Sequence, residues 1–376
     1  MGNFDTPGTH RGRDAEEAVP RHLSPRYLRQ REFPALGAEG QRRLSRARVA
    51  VVGAGALGTH VLDLLARAGV GFIRVIDGDV VEEHNLPRTT LFDLADARRF
   101  RPKAEAVRAH LARIDPDVRV DAHVAELYPE NAEAFLADVD LIVDGTDRPE
   151  VRYLLDDASR KFQIPWVHGA VRRSSGTVVA FDPAAGMCYR RLFPHPPKEA
   201  RNSGVIGPAP TVVGALQAAI ALRILSGQRA EAVGRLLHID TWTLAVTSFE
   251  MPALRPSASG PEDPCRNPEF PALEASTPDV LVRSSPGSGH PEVVLHPLGG
   301  KPVELGEAAG RLAPYGEVTL TPSVLRAEFP RPLRGDASSP LPSPRTLLLF
   351  PDGRCVIAGT DDVEEALFVS RLAFGT

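Results

Sequence analysis

Gly53-Ala54-Gly55-Ala56-Leu57-Gly58 is a G-x-G-x-x-G run between a short apolar stretch and a segment with helical spacing, the context in which this run has chemical meaning. Its glycines let the backbone turn tightly and approach phosphate oxygens, while the first turn of the helix offers free N–H groups and a positive dipole end. Asp77 closes the next apolar stretch, 19 residues after Gly58, where a carboxylate accepts hydrogen bonds from ribose hydroxyls. These features alone describe a nicotinamide-dependent dehydrogenase. The following loop, His84-Asn85-Leu86-Pro87-Arg88, and Lys103 beyond it argue otherwise. Hydride transfer needs no cations beside the ribose. A triphosphate does, because cations must hold the β- and γ-phosphates as pyrophosphate leaves. Asp144-Gly145-Thr146-Asp147 then ends another apolar run, where a carboxylate can hold Mg2+ bridging to phosphate oxygens.

The elements that would position these residues follow from apolar spacing. Residues 49–52, 72–76, 118–124 and 139–143 read as short strands. Residues 56–68 read as a helix with Leu57, Val61, Leu64 and Leu65 on one side, Pro102 opens a helix to about residue 114, and 131–136 form a short one. Buried strands alternating with helices predict a Rossmann-like, doubly wound α/β fold, mostly parallel, with helices on both faces. After Ile164-Pro165 the texture changes: 177–181 and 236–249 read as strands, and 211–225 as a strongly apolar helix, in the core or at a subunit contact.

The two ends differ from this middle. Residues 1–24 lack apolar periodicity and are expected to be a disordered leader. Of the 35 prolines, 19 lie in residues 251–376, so 251–291 reads as a Pro/Ser/Gly-rich linker. Residues 292–376 then read as a small α+β extension, with 346–350, a Pro351-Asp352-Gly353 turn and 355–357 forming a hairpin and 361–372 a closing helix.

Composition removes several functions. The net charge of −4 offers no basic excess for DNA. No run reaches the ~18 uninterrupted apolar residues of a membrane span, since Gln217 and Arg223 break the best candidate. The opening Met1-Gly2-Asn3-Phe4-Asp5-Thr6 fits a myristoylation pattern, but acidic residues are mixed with arginine after it. Cys188, Cys265 and Cys355 are far apart in sequence, cannot build a disulfide framework, and suit a reducing compartment. A cytoplasmic protein is expected.

With these motifs in order, residues 25–250 resemble the ThiF/MoeB/HesA family, bacterial relatives of ubiquitin-activating (E1) enzymes. Arg26-Tyr27-Leu28-Arg29-Gln30 resembles the family's R-Y-x-R-Q opening. Residues 53–58 resemble its G-x-G-G-L-G loop, with Ala56 in place of a glycine. Residues 77–88 resemble D-x-D-x(5)-N-L-x-R, Pro102-Lys103 and Thr146-Asp147 match its phosphate lysine and T-D element, and 204–217 resemble its G-V-x-G-x-x-P-x-x-x-G-S-L-Q segment. The resemblance implies an adenylation domain in which Gly53, Gly55, Ala56 and Gly58 shape the nucleotide loop and Asp77 holds the ribose. It implies that Asn85, Arg88 and Lys103 hold the phosphates and Asp147 binds Mg2+. Arg29 would reach the triphosphate of a neighbouring subunit in a homodimer. The implied reaction is attack by a C-terminal carboxylate on the α-phosphate of ATP. The implied partner is a small ubiquitin-like sulfur carrier of the ThiS/MoaD kind ending in Gly-Gly, as in thiamine or molybdopterin sulfur transfer.

Departures from the family pattern narrow this reading. Members often hold zinc through two C-x-x-C pairs. Here the first reads Cys188-Tyr189-Arg190-Arg191, and the second aligns with cysteine-free residues 266–273. Zinc is therefore not expected, and Cys188 is expected to be an unpaired core thiol. No cysteine precedes Gly204 in Ala200-Arg201-Asn202-Ser203, so adenylation stays in the reading while a thioester or persulfide on the enzyme does not. Arg148 replaces the asparagine of T-D-N. Two other readings remain: an E1-like enzyme adenylating a peptide or tRNA-nucleoside carboxylate, and a nucleotide-binding scaffold without catalysis. A titration of ATP against NAD separates all of these from a dehydrogenase.

Overall fold

The computed structural model describes residues 20–195, 204–251, 263–265, 268–284, 290–296, 303–330 and 345–375. The first half runs α1 (Leu28–Glu32), α2 (Gly37–Leu44), β1 (Arg48–Val52), α3 (Ala56–Ala68), β2 (Phe72–Ile76), α4 (Leu94–Arg98), α5 (Lys103–Ile114), β3 (Arg119–His123), α6 (Pro129–Leu136), β4 (Leu141–Asp144), α7 (Pro149–Phe162) and β5 (Trp166–Arg172). It continues through β6 (Ser175–Phe181), α8 (Tyr189–Leu192), α9 (Pro208–Leu225), α10 (Arg229–Ala232), β7 (Arg235–Asp240) and β8 (Ala245–Glu250). These eight strands form one sheet in the order β3-β2-β1-β4-β5-β6-β7-β8. The pairings from β3 to β5 are parallel and those from β5 to β8 antiparallel. The fold is the expected doubly wound α/β class, with a larger antiparallel half than the sequence suggested.

Alternation along β1 explains its burial. Val49 and Val51 join one apolar core with α3, α5 and α9, whereas Ala50 and Val52 join a second with α6 and α7. A strand covered on both faces has no polar side, hence the unbroken apolar run. The strand order reverses between β1 and β4, and ligands in such sheets bind outside the carboxyl ends of the strands at that switch point.

The second half has α11 (Pro271–Glu274), β9 (Val280–Ser284), β10 (Pro291–Leu295), α12 (Leu305–Leu312), β11 (Glu317–Leu320), β12 (Leu325–Phe329), β13 (Arg345–Leu349), β14 (Cys355–Ala358) and α13 (Val363–Phe374). Six antiparallel strands, ordered β11-β12-β13-β14-β10-β9, form its sheet. One face packs on α12 and α13 through Leu312, Leu325, Leu347 and Val369. The other presents Val294, Phe350 and Val356 to Val80 of the first half, with Phe100 and Val124 beside them.

Several expectations need correction. The segment read as a linker, 251–291, already contains α11 and β9, so the C-terminal sheet starts before residue 292. The single strand read over 236–249 is a hairpin, β7 and β8, whose turn has no glycine or proline. Instead the Asp240 carboxylate accepts the amides of Trp242 and Thr243, an Asx-type turn. Residues 1–19 of the expected leader lie outside the described residues. Residues 20–24 are structured, with Arg21 bonded to Asp115 at 3.1 Å. Cys188 is not an unpaired thiol but forms a disulfide with Cys265 across 77 residues. The chain returns here because Asp157 accepts the amide of Ala272 at 2.7 Å and Arg191 pairs with Asp263. With two of the three cysteines joined, they no longer support a reducing compartment. By length and composition α9 could cross a membrane. Here it lies on α3, β5 and β6, with Gln217 fully buried.

Candidate active site

The glycine loop connects β1 to α3, and its residue types are set by backbone crowding. Gly53 has φ +91°, and a Cβ there would lie 2.7 Å from the backbone of Gly145. A Cβ on Gly58 would lie 1.9 Å from the Gly53 carbonyl oxygen, and one on Gly145 2.4 Å from it. The loops after β1 and β4 thus touch at the switch point through glycines. Gly55 differs: nothing lies within 4 Å of its Cβ position, so that side of the loop is open. Helix α3 begins at Ala56 with no side-chain cap and no acid in its first turn. Its first N–H groups are left for a ligand, and an anion suits them best. These features fit a bound polyphosphate.

Asp77, at the end of β2, is fixed from two sides. Its Oδ2 accepts the Ala54 amide at 2.7 Å and its Oδ1 the Asp79 amide at 2.8 Å. Burial raises its carboxyl pKa to about 6, against the downward pull of Lys103. Lys103, the first residue of α5, is 8% exposed, and its Nζ lies 2.8 Å from Asp79 Oδ2. Burial disfavours its ammonium, but Asp79 and Asp77 overcome that and hold its pKa above the usual lysine range. Burial likewise pushes the Asp79 carboxyl up, and Lys103 and Arg283 bring it below the usual range.

The loop after β2 ends in a 3-10 turn, Glu83–Arg88. Asn85 is buried and its Oδ1 accepts the Glu82 amide at 3.1 Å, closing a capping box. Arg88 Nη1 donates to the His84 carbonyl at 2.7 Å. Burial lowers the pKa of Arg88, with Asp147 opposing. Asp147 is exposed and makes no hydrogen bond or ion pair among the described residues, yet it acts electrostatically on both Arg88 and Lys103. A free carboxylate facing two cations beside an open glycine loop fits a hydrated Mg2+ shared with phosphate oxygens.

The preceding residue is clamped. Thr146 donates its amide and hydroxyl to Asp144 Oδ1 at 2.8 and 2.7 Å, and its carbonyl accepts from Arg152 at 3.0 Å. Asp144 is fully buried, with Arg152 at 3.2 Å and His168 Nδ1 at 2.7 Å on its Oδ2. Burial lowers the pKa of His168 despite Asp144, so its neutral ring donates Nδ1–H to the carboxylate. Gln217 of α9 donates to the Asp144 carbonyl at 2.7 Å. This cluster lies under the Asp147 loop; Asp144, Thr146 and Gln217 fall within motifs legible in the sequence, whereas Arg152 and His168 carry no such signal. The residues are scattered from 144 to 217, and only the sheet brings them together.

The fold thus brings Gly53, Gly55, Ala56, Gly58, Asp77, Asn85, Arg88, Lys103 and Asp147 to the carboxyl ends of β1, β2 and β4. Arg29 is not among them. Its side chain is 89% exposed and paired with Glu32 at 2.8 Å. The next residue, Gln30, donates to the Ala68 carbonyl at the far end of α3. Thirteen helical residues, about 20 Å, separate that end from the glycine loop. Arg148 also points elsewhere: its Nη1 lies 2.6 Å from Glu126 Oε2, beneath the C-terminal sheet.

Comparisons with known proteins agree with this geometry. The ThiF family model matches residues 27–265. A sulfur carrier protein adenylyltransferase of Thermus thermophilus is 42% identical over 225 residues, 57% of this chain and 82% of the relative. The sulfur carrier protein ThiS adenylyltransferase of Bacillus subtilis is 31% identical over 348 residues, 92% of this chain and 97% of the relative, so the likeness includes the C-terminal sheet. Among solved structures, Escherichia coli MccB with ATP superposes with a TM-score of 0.53 at 20% identity, covering 61% of this chain and 73% of that one, a likeness of fold. With the family model spanning most of the first half and one relative aligned nearly end to end, the chain belongs to the ThiF family.

Proposed function

We propose that this chain is an ATP-dependent adenylyltransferase activating the C-terminal carboxylate of a small ubiquitin-like sulfur carrier protein that ends in Gly-Gly. A carboxylate oxygen attacks the α-phosphorus of ATP. The P–O bond to the β-phosphate breaks, pyrophosphate leaves, and an acyl adenylate forms. No protein nucleophile is required, so the site's task is positioning and charge neutralisation. The glycine loop and the first turn of α3 receive phosphate oxygens. Asp77 accepts from the ribose hydroxyls, and Asn85, Arg88 and Lys103 hold the polyphosphate. Asp147 would hold Mg2+, which supplies further neutralisation of charge on the leaving pyrophosphate.

A homodimer is part of the same proposal, as is a cytoplasmic location, on the ground of ATP supply and not of the cysteines. Arg29 is a helix length from its own glycine loop and largely exposed, as an arginine serving a second copy's triphosphate must be. The observation that carries the proposal is that Arg88, Lys103 and Asp147, which makes no hydrogen bond or ion pair among the described residues, stand on the segments after β2 and β4 around the uncapped start of α3 and buried Asp77. ATP–pyrophosphate exchange, assayed with purified Gly-Gly carriers, tests it. Exchange that appears with a carrier supports adenylation, and binding of NAD in place of ATP would refute it.

A further inference from the structure

The turn that joins β13 to β14, Phe350-Pro351-Asp352-Gly353-Arg354, has no part in the chemistry described so far, yet it is wedged against the nucleotide site. Gly353 takes the left-handed conformation, φ +86°, which closes the turn and sends the chain back into β14. Arg354 is 2% exposed, and its guanidinium lies 3.8 Å from the centre of the Phe350 ring. From there Nη2 donates to the carbonyl of Gly78 at 2.6 Å, across 276 residues of sequence.

Gly78 stands between the two carboxylates that shape the pocket. Asp77 ties the glycine loop to the Asp79 amide, and Asp79 holds Lys103. The peptide gripped by Arg354 is therefore the hinge of the ribose and lysine positions. A Cβ on Gly78 would lie 2.6 Å from Glu126 Cγ and 3.1 Å from the Arg354 guanidinium nitrogens. The close approach of these two side chains thus leaves room only for glycine.

A second grip runs through Glu126. This buried carboxylate takes Arg283 of β9 at 3.0 and 3.2 Å, Arg354 at 3.5 Å, and Arg148 at 2.6 Å. Arg148 directly follows Asp147. The C-terminal sheet thereby reaches both loops that carry acidic ligand candidates, and it contributes two of the three arginines around Glu126. A surface extension has no need of such depth, since exposed ion pairs add little stability, whereas a buried hydrogen bond from a charged group is costly to remove.

We propose that the C-terminal domain is a positioning arm of the nucleotide site, with Arg354 the residue that sets the Asp77-Gly78-Asp79 loop in its ATP-binding shape. This rests on the reading of Asp77 as an ATP ligand. Arg354 itself touches the loop and not the nucleotide.

The test uses the full-length chain and four variants: Arg354→Met, Arg354→Lys, Phe350→Leu and Asp77→Ala. Each is titrated with Mg-ATP, and amide exchange over residues 77–81 is followed without nucleotide. Arg354→Met is expected to weaken ATP binding about tenfold and to speed exchange in that segment. Arg354→Lys, which keeps a charged donor but loses the plane stacked on Phe350, should bind ATP measurably better than Arg354→Met without reaching the unaltered chain. Equal loss in Met and Lys variants would mean disturbed packing only and would overturn the proposal. So would normal ATP binding by Arg354→Met while Asp77→Ala has lost it. Normal binding by Asp77→Ala would instead defeat the reading of the site itself. If Arg354→Met does not fold, Phe350→Leu carries the test by removing the ring that directs the guanidinium. Unchanged ATP affinity and exchange there would overturn the proposal.

Discussion

Lys103 Nζ lies 2.8 Å from Asp79 Oδ2, and this contact organises the corner of the site. The ammonium is buried and stays charged because two carboxylates, Asp79 and Asp77, face it. Under the proposed function a triphosphate would share that ammonium with Asp79, and Lys103 is already fixed by the fold rather than swinging in from solvent.

Removing the lysine has a directional consequence. In Lys103→Met, Asp77 loses the charge that pulls its pKa down, so its carboxyl moves further above about 6. Asp77 is then left without the cation that faces it, and Asp79 keeps only Arg283. We expect a loss of about 1–3 kcal/mol of stability at pH 7.5, with a smaller loss at pH 5, where Asp77 is protonated. Thermal unfolding at the two pH values measures this, alongside loss of ATP binding.

Asp77 also predicts a pH dependence of binding. Its folded-state pKa is raised to about 6 from an ordinary value near 3.8, with burial the main cause. Only the ionised form accepts on both oxygens, so ATP affinity should be full above about pH 7 and fall as pH drops through 6. Asp77→Asn should bind weakly and lose that step. Calorimetric titration between pH 5 and 8 checks both points.

The dimer proposal is tested by mixing two inactive variants. Arg29→Ala removes the arginine offered to a partner, and Asp147→Ala removes the local carboxylate. If Arg29 serves the other copy, random mixed dimers contain one complete site in half of the molecules. About a quarter of the original exchange activity should then return. No recovery after mixing and refolding would place Arg29 outside the reaction.

The Cys188–Cys265 disulfide fastens the return of the chain onto α7 and α8. Its sequence separation of 77 implies about 4.5 kcal/mol of stabilisation from loop closure, against about 2–4 kcal/mol for a typical disulfide. Reduction with dithiothreitol, or the paired change Cys188→Ser and Cys265→Ser, should lower the melting temperature to the same extent.

Much of the first half is legible before any coordinates, for identifiable reasons. The apolar spacing of residues 56–68 predicts a helix, and α3 forms over the same residues. An apolar stripe, a glycine entry and a Gly69 exit coincide there. The extra turn in 236–249 escapes because Asp240 supplies the turn chemistry without glycine. Helix α7 carries apolar Val151, Leu154, Leu155 and Ala158 among dense charge. Its Asp156, Asp157 and Arg160 are themselves buried, so hydrophobic patterning understates what faces inward. The disulfide and the Arg354–Gly78 contact join distant positions, and nothing local in the sequence announces either pairing.

Under the proposed function Asp147, Arg88 and Lys103 hold a metal-bound triphosphate while a carrier's C-terminus attacks it. ATP–pyrophosphate exchange with a Gly-Gly carrier, comparing the unaltered chain with Asp147→Ala, tests this most directly. Exchange should depend on the carrier and fall at least about a hundredfold in the variant, with its melting temperature unchanged. Undiminished exchange in Asp147→Ala would contradict it.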